Sequence, residues 1–355
     1  MVLSVAWVRA VARSAALQVG LLELMPLIQG VDRSALTSPH ALLMAGVLLF
    51  FYLDAFILGA PGWLALALLP LALVVLLGVL RHAGHGPPGA IQPVPVLLAA
   101  FAALVVLALS RGGLVSVPLA AALVGAAGGL VEAIGHFSRR CQGVAAPVYC
   151  GAFAGMTSEL VLGHPGWVVL AGVLAGLALS LLANSWSGIG GKLGTIAYLG
   201  VLGATGLALV SGAIGAGAPL HAFTGVERWL VLIASLLSPL LTHRLSYYWG
   251  FGVVLGSALP SLLVALLLAL LPPSLELAPG PLAAMWLGAS FVGMTAPERL
   301  APRPLPLLLA MGLLFALLSF SFAPRLAGIG GDLGVTAAVS VFAVLGARVL
   351  VLDRR

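Results

Sequence analysis

GIGGKLG at residues 188–194 returns as GIGGDLG at residues 328–334, an offset of 140 residues (332 − 192). The two copies differ only where Lys192, the single lysine of the chain, is replaced by Asp332. Charged residues make up 7% of the 355 residues and hydrophobic ones 62%. Because charges are costly to bury in such apolar surroundings, this matched pair predicts a two-fold related functional site.

A second pair of motifs extends the similarity beyond the glycine strings. GAFAGMT at residues 151–157 resembles GASFVGMT at residues 288–295, and the shared Gly-Met-Thr cores are offset by 138 residues (293 − 155). In each copy a hydrophobic hairpin separates Gly-Met-Thr from the glycine string. Two ordered motifs at nearly equal offsets indicate an internal duplication.

The composition predicts an all-α polytopic membrane protein. The mean hydropathy is +1.19, and the apolar runs reach the ~20 residues that a helix needs to cross the hydrocarbon core. Backbone polar groups must bond within the segment in lipid, so these runs are predicted as helices. They lack the alternation of an outer-membrane strand. The 45 glycines and 23 prolines suit close helix packing and broken helices.

We predict twelve transmembrane helices, preceded by a further helical stretch. Residues 2–29 carry Arg9, Arg13 and Glu23, so they are predicted to lie in the interface as an amphipathic helix or to form an additional span. The twelve predicted spans are residues 40–59, 62–81, 94–110, 113–135, 145–163, 166–184, 192–214, 228–246, 250–271, 281–298, 304–322 and 332–352.

The motif positions predict a 5+5 inverted-topology repeat within one integral membrane domain. Gly-Met-Thr lies in span 145–163 and again five spans later, and an odd displacement reverses the direction through the bilayer. The first repeat is assigned to residues 91–215 and the second to residues 226–355. Residues 1–90 would hold the N-terminal amphipathic helix and a peripheral hairpin. Inverted repeats of this kind recur in secondary transporters.

The basic residues predict the orientation. With the C-terminus in the cytoplasm, eleven basic residues lie in cytoplasmic segments, and only Arg111, Arg228 and Arg325 face the opposite side. This bias favours a bacterial inner (plasma) membrane protein. No basic run exceeds two adjacent arginines, so the net charge of +6 is attributed to topology and no nucleic-acid partner is expected.

The glycine strings are the predicted substrate site. Each string precedes an apolar helix, so its amides would lie at a helix N-terminus, where the dipole favours anions. One hypothesis is a pair of broken helices that meet near the midplane. The alternative is close helix packing through small residues. The residues concerned are Gly190, Gly191, Lys192, Gly194, Gly330, Gly331, Asp332 and Gly334.

Lys192 and Asp332 allow three arrangements: a salt bridge, separate contacts with a ligand, or positions far apart on opposite membrane faces. Inverted topology puts equivalent loops on opposite sides, so contact requires both strings to enter the membrane.

Thr157, Ser158 and Thr295 are predicted to supply substrate hydroxyls. The alternative for these hydroxyls is bonding to a carbonyl one turn earlier.

Two acidic residues are predicted to couple protons or ions, because acids within a membrane are commonly functional. Asp54 lies in an aromatic run, and Glu159 is followed by Leu160 and Val161. Because Asp54 lies outside the repeat, the alternative for it is a hydrogen bond between helices or a position at the membrane interface. Glu132 and His136 share a helix face, but no further residues that could bind a metal ion lie nearby. The two cysteines are too few for a disulfide framework. We therefore expect no metal, cofactor or catalytic residues.

These patterns favour a transporter of a small solute or ion that works by alternating access, and not an enzyme. The alternatives are a channel with the same repeat, or a membrane-embedded subunit or anchor of a larger complex. The expected partners are the lipid bilayer, a small polar or anionic solute or ion, and possible further copies in a homo-oligomer. The 5+5 architecture resembles that of several unrelated carriers and urea-transporter-like channels, which carries no information on substrate.

Overall fold

The structure, a computed structural model, describes residues 46, 71–72, 74–79, 81–82, 89–113, 115–135, 141–213, 215, 221–326 and 328–352. Within these residues the regular structure is helical and includes no strand. Five helices are long and apolar enough to cross a membrane. The all-helical prediction is confirmed, and these helices are compatible with a membrane location. The predictions for residues 2–29, residues 40–59 except 46, and Asp54 lie outside the described residues.

The first half of the described chain contains five helices. The prolines at the starts of α1, α2 and α4 fit the first helical turn, where a backbone N–H has no partner within the helix. The helices are α1 (Pro93–Arg111), α2 (Val117–Ile134), α3 (Ala145–Gly155), α4 (Pro165–Leu181) and α5 (Lys192–Val210).

The second half of the described chain contains six α-helices, with short helical turns between some of them. A π-helical turn (Arg244–Tyr248) extends α6, and a 3-10 turn (Pro273–Leu275) precedes α8. The helices are α6 (Gly225–His243), α7 (Val253–Ala269), α8 (Pro279–Gly293), the four-residue α9 (Pro297–Leu300), α10 (Pro304–Leu326) and α11 (Asp332–Leu352).

Helix α3 is shorter than the predicted span 145–163. It ends at Gly155 after 11 residues, or about 16 Å at 1.5 Å per residue, roughly half of the hydrocarbon thickness. The next two amides turn back onto the carbonyls of Phe153 and Ala154, at 3.1 and 3.2 Å. The apolar run therefore continues beyond the helix as non-helical backbone, which hydropathy alone did not distinguish from a helix.

Small residues allow close packing between the two halves. Gly125 and Gly129 of α2 face Ala258 and Leu255 of α7, and the reversed order of the contacts shows that the two helices run antiparallel. Within each half, α1 packs on α3 and α4, and α6 packs on α8 and α10. The described residues between 71 and 82 are helical and pack against α11.

Helices α3 and α8 form the centre of the core. The rings of Tyr149 and Phe153 lie 4.2 Å apart, and Phe153 lies 4.7 Å from Phe291 of α8. The Tyr149 hydroxyl and the Ser257 hydroxyl of α7 are 2.9 Å apart, and Ser257 lies 2.6 Å from the hydroxyl of Ser290. This buried polar chain joins the halves through three helices.

Candidate functional site

The two glycine strings meet where α5 and α11 cross. A methyl group added at Gly194 would lie 2.6 Å from the Cα of Gly334, closer than side-chain carbons approach backbone in folded proteins. A methyl group at Gly334 would collide with the Cα of Gly194. Only glycine at these two positions allows the backbones this close approach.

The contacts on either side of this point show that α5 and α11 run in opposite directions. A methyl group at Gly191 would lie 2.6 Å from the amide nitrogen of Ala338, and one at Gly331 would lie 2.5 Å from that of Tyr198. Both glycines have positive φ, 83° and 88°, which a side chain would strain. All these contacts fall in the first two turns of each helix.

Each glycine string also binds the Gly-Met-Thr segment of the other half. The amide of Gly330 donates to the hydroxyl of Thr157 at 3.2 Å, and the amide of Gly190 donates to the hydroxyl of Thr295 at 3.2 Å. Both threonines are buried. Two equivalent hydrogen bonds therefore cross the contact between the halves.

A second pair of backbone hydrogen bonds lies beside the first. The amide of Ser158 donates to the Gly328 carbonyl at 2.8 Å, and the amide of Ala296 donates to the Gly188 carbonyl at 2.9 Å. The non-helical backbone after α3 and after α8 is thus satisfied by the opposite glycine string. This arrangement meets the requirement that buried backbone polar groups find partners.

The threonine hydroxyls make the bond to a nearby carbonyl that was the alternative to a role in substrate binding. Thr157 donates to the carbonyl of Ala154 at 2.8 Å, and Thr295 donates to that of Val292 at 2.7 Å. Each hydroxyl has one proton, and it is engaged in this bond. One acceptor position of each is also occupied by the glycine amide, so these side chains chiefly join the halves.

An open cavity of about 520 Å³, the Asp332 cavity, lies on one side of the crossing. Its lining combines the start of α11 with the end of α1, the start of α2, the segment after α3, and the start of α8. The polar lining residues are Ser110, Arg111, Ser116, Thr157, Ser158, Glu159, His221 and Asp332.

Asp332 is the first residue of α11 and is half-buried. Its carboxyl group accepts a hydrogen bond from the amide of the next residue, Leu333, at 2.7 Å. Among the described residues, no basic side chain forms an ion pair with it. Among the side chains that the structure describes, Asp332 is therefore a carboxyl group at the cavity wall without an ion-pair partner.

Two other ionisable groups of the cavity are paired. Arg111 at the end of α1 forms an ion pair with Glu159 at 2.5 Å, linking that helix to the segment after α3. His221 lies 3.2 Å from the carboxylate of Glu227. Glu227 is buried and also accepts from the amides of Thr224 and Ala278, both at 2.8 Å. Sequence analysis did not select Arg111 or His221 for this site.

A second cavity of about 460 Å³, the Lys192 cavity, lies at the other end of α1 and α3. Lys192, the first residue of α5, lines it and donates to the carbonyl of Ala183 at 2.8 Å. The cavity is otherwise lined by the start of α1, the start of α3 and the end of α4; its polar residues are Gln92, Ser180, Asn184 and Lys192.

The two charges selected from the sequence therefore do not form a salt bridge. Lys192 and Asp332 line separate cavities, although the backbones that carry them touch at Gly194 and Gly334. Along α1, Gln92 and Pro95 border one cavity, and Leu107 to Arg111 border the other, about 20 Å apart by helical rise. The crossing of α5 and α11 separates them.

Arg299 holds the segment that leads into the first glycine string. Its guanidinium donates to the carbonyl of Ser187 at 3.1 Å, and Arg348 donates to the Arg299 carbonyl at 3.2 Å. Burial lowers the pKa of Arg299, and the negative charge of the neighbouring Glu298 offsets part of this effect.

The described residues contain no cluster of three or more His, Cys, Asp or Glu side chains that could hold a metal ion. The carboxyl group of Asp332 and the ammonium of Lys192 instead line separate cavities, the first of which also holds the Arg111–Glu159 ion pair. No protein-family model, curated protein or solved structure matches this chain.

Proposed function

We propose that this chain is a membrane transporter of a small solute or ion, built on a 5+5 inverted repeat within about twelve membrane spans. Alternating access would occur around the crossing of α5 and α11. The observation that carries the proposal is that two cavities approach this crossing from opposite ends of α1 and α3. Each of them contains one of the two charged residues of the glycine strings.

The paired contacts support the inverted repeat. Gly330 with Thr157 and Gly190 with Thr295 are the same interaction with the halves exchanged. The antiparallel course of α2 against α7, and of α5 against α11, is what opposite topologies would produce. A pseudo-two-fold axis would then pass between Gly194 and Gly334.

The position of the crossing supports a site inside the membrane. Two full-length antiparallel spans that begin at opposite faces would cross near their middles. Here the closest approach is at the third residue of α5 and of α11. Both helix starts would therefore lie well inside the bilayer, and α3 with its non-helical continuation would form a discontinuous span.

In this mechanism the two cavities are the two access routes. The proposed orientation, with the C-terminus in the cytoplasm of a bacterial inner membrane, puts the Lys192 cavity on the cytoplasmic side and the Asp332 cavity on the opposite side. Relative rotation of the halves would close one cavity while opening the other. Hydrogen bonds across the crossing would keep the strings in register.

Transport can be tested in proteoliposomes with labelled organic cations, organic anions and neutral polar solutes. The proposal predicts uptake that is accelerated by unlabelled solute inside the vesicles. Uptake indifferent to internal solute, with turnover far above ~10³ per second, would support a channel, because domain motions take microseconds to milliseconds. Equal fluxes in empty vesicles for all three classes would contradict both.

A further inference from the structure

We propose that the Asp332 cavity binds a small organic cation, an ammonium group attached to an apolar body. This inference rests on the proposed transport function for its physiological meaning, although binding itself can be tested without transport. It names the substrate class of the site.

The charge of the lining favours a cation. Arg111 and Glu159 neutralise each other, and His221 contacts the buried Glu227 carboxylate. Asp332 is left without a basic partner among the side chains that the structure describes, so this described lining holds one carboxylate without an ion pair. An unpaired, partly buried carboxylate is costly to keep charged, and a cationic ligand is the occupant that would match its charge.

The oxygen atoms of the lining do not favour a metal ion. Hard cations such as Ca²⁺ take six to eight converging oxygen ligands. Here Ser110 donates to the carbonyl of Val106 at 2.9 Å, Thr157 donates to that of Ala154, and Ser158 accepts from the amide of Leu160 at 3.2 Å. These hydroxyls form hydrogen bonds to backbone groups around the cavity. Asp332 therefore remains the main group that could contact a cation.

The remaining surface suits an apolar body. Leu107, Met156, Phe223, Met285 and Leu333 line the cavity. Methionine side chains adapt to varied apolar shapes, and an aromatic ring attracts ammonium groups through its face. The cavity volume of about 520 Å³ lies within the range of small-molecule sites.

The anionic solute expected from the sequence depended on Lys192 contributing to the same site. Lys192 lines the other cavity, and its ammonium donates to the carbonyl of Ala183. Lys192 does not line the Asp332 cavity, so its positive charge cannot attract an anion there. A cation is therefore the class that its lining recognises.

The test compares three probes that share one apolar body: 2-phenylethylammonium, neutral 2-phenylethanol and anionic 3-phenylpropionate. Binding to the purified full chain in nanodiscs is measured by equilibrium dialysis. The ammonium probe should bind saturably and at least about tenfold more tightly than the other two. Asp332→Asn should weaken ammonium binding about tenfold or more, the value of one charge-assisted hydrogen bond.

Asparagine keeps the hydrogen bond to the Leu333 amide, so this variant removes the charge with little change in shape. Glu276→Gln is the matched control, because it removes an exposed carboxylate between α7 and α8, outside the cavity lining, and should leave binding unchanged. A readout without any variant is also available. The ammonium probe should protect Asp332 of the unaltered protein from a hydrophobic carbodiimide, as measured by mass spectrometry.

The inference is overturned if the neutral or anionic probe binds as tightly as the ammonium probe, or if Asp332→Asn binds it normally. It is also overturned if no saturable ammonium binding occurs up to millimolar concentration and Asp332 is not protected. Ammonium binding without exchange flux would instead contradict the transport proposal alone. Exchange of neutral or anionic solutes that does not need Asp332 would contradict the ligand class alone.

Discussion

The crossing of α5 and α11 makes a quantitative prediction for Gly194→Ala. The added methyl group would lie 2.6 Å from the Cα of Gly334, whereas carbon atoms pack at about 3.5–4.0 Å. The two helices would have to separate by roughly 1 Å, and such overpacking costs about 1–3 kcal/mol. Alanine also favours the helix by about 1 kcal/mol over glycine, which partly offsets this cost.

Gly206→Ala provides the matched control because Gly206 belongs to the same helix and a methyl group there meets no atom within 4 Å. The same helix preference applies, so this variant should be neutral or stabilising. The difference in unfolding free energy between the variants isolates the steric cost, about 1–3 kcal/mol.

Unfolding can be followed by circular dichroism during titration of mixed micelles with sodium dodecyl sulfate. Gly194→Ala should unfold at a lower detergent fraction than the unaltered protein, and Gly206→Ala at an equal or higher one. If the two variants have the same stability within about 0.5 kcal/mol, the typical scatter of neutral surface changes, the close contact between the halves is refuted.

Three buried polar contacts give further predictions for the same unfolding assay. Thr295→Val leaves the Gly190 amide without its acceptor and should cost about 1–3 kcal/mol, whereas Thr295→Ser should recover most of this loss; equal stability of both variants would contradict the bond. Tyr149→Phe removes the hydroxyl partner of Ser257 and should cost about 1 kcal/mol; an unchanged midpoint would argue against the contact. Glu227→Gln weakens bonds to two backbone amides and should cost about 1–3 kcal/mol, with stabilisation as the contrary result.

Hydropathy predicted the long helices well, because an apolar run is visible in the local sequence without knowledge of tertiary contacts. The predicted span 94–110 corresponds to helix Pro93–Arg111, and the span 332–352 has the same bounds as Asp332–Leu352. The same method missed the end of α3, because the polar residues Thr157, Ser158 and Glu159 are followed at once by the apolar residues 160–162, so the run still reads as one span. The non-helical backbone after Gly155 is stabilised by a glycine string more than 170 residues away, as in the bond between Gly330 and Thr157.

The candidate site was predictable only where it repeats a sequence pattern. The strings selected Gly194 and Gly334, and the structure brings these residues together. The pattern did not indicate which side chains would surround each charge. His221 and Phe223 line the same cavity as Asp332 but lie in a loop whose sequence has no helical periodicity. No local pattern connects them to the start of α11.

The central claim, that the two charges face opposite sides of the membrane through separate cavities, can be tested by side-specific labelling. Lys192→Cys and Asp332→Cys are placed separately in a chain whose Cys141 and Cys150 are replaced, and inside-out and right-side-out vesicles are treated with a membrane-impermeant thiol reagent. We predict labelling at 192 only from the cytoplasmic side and at 332 only from the opposite side. Labelling of both positions from the same side would contradict the account.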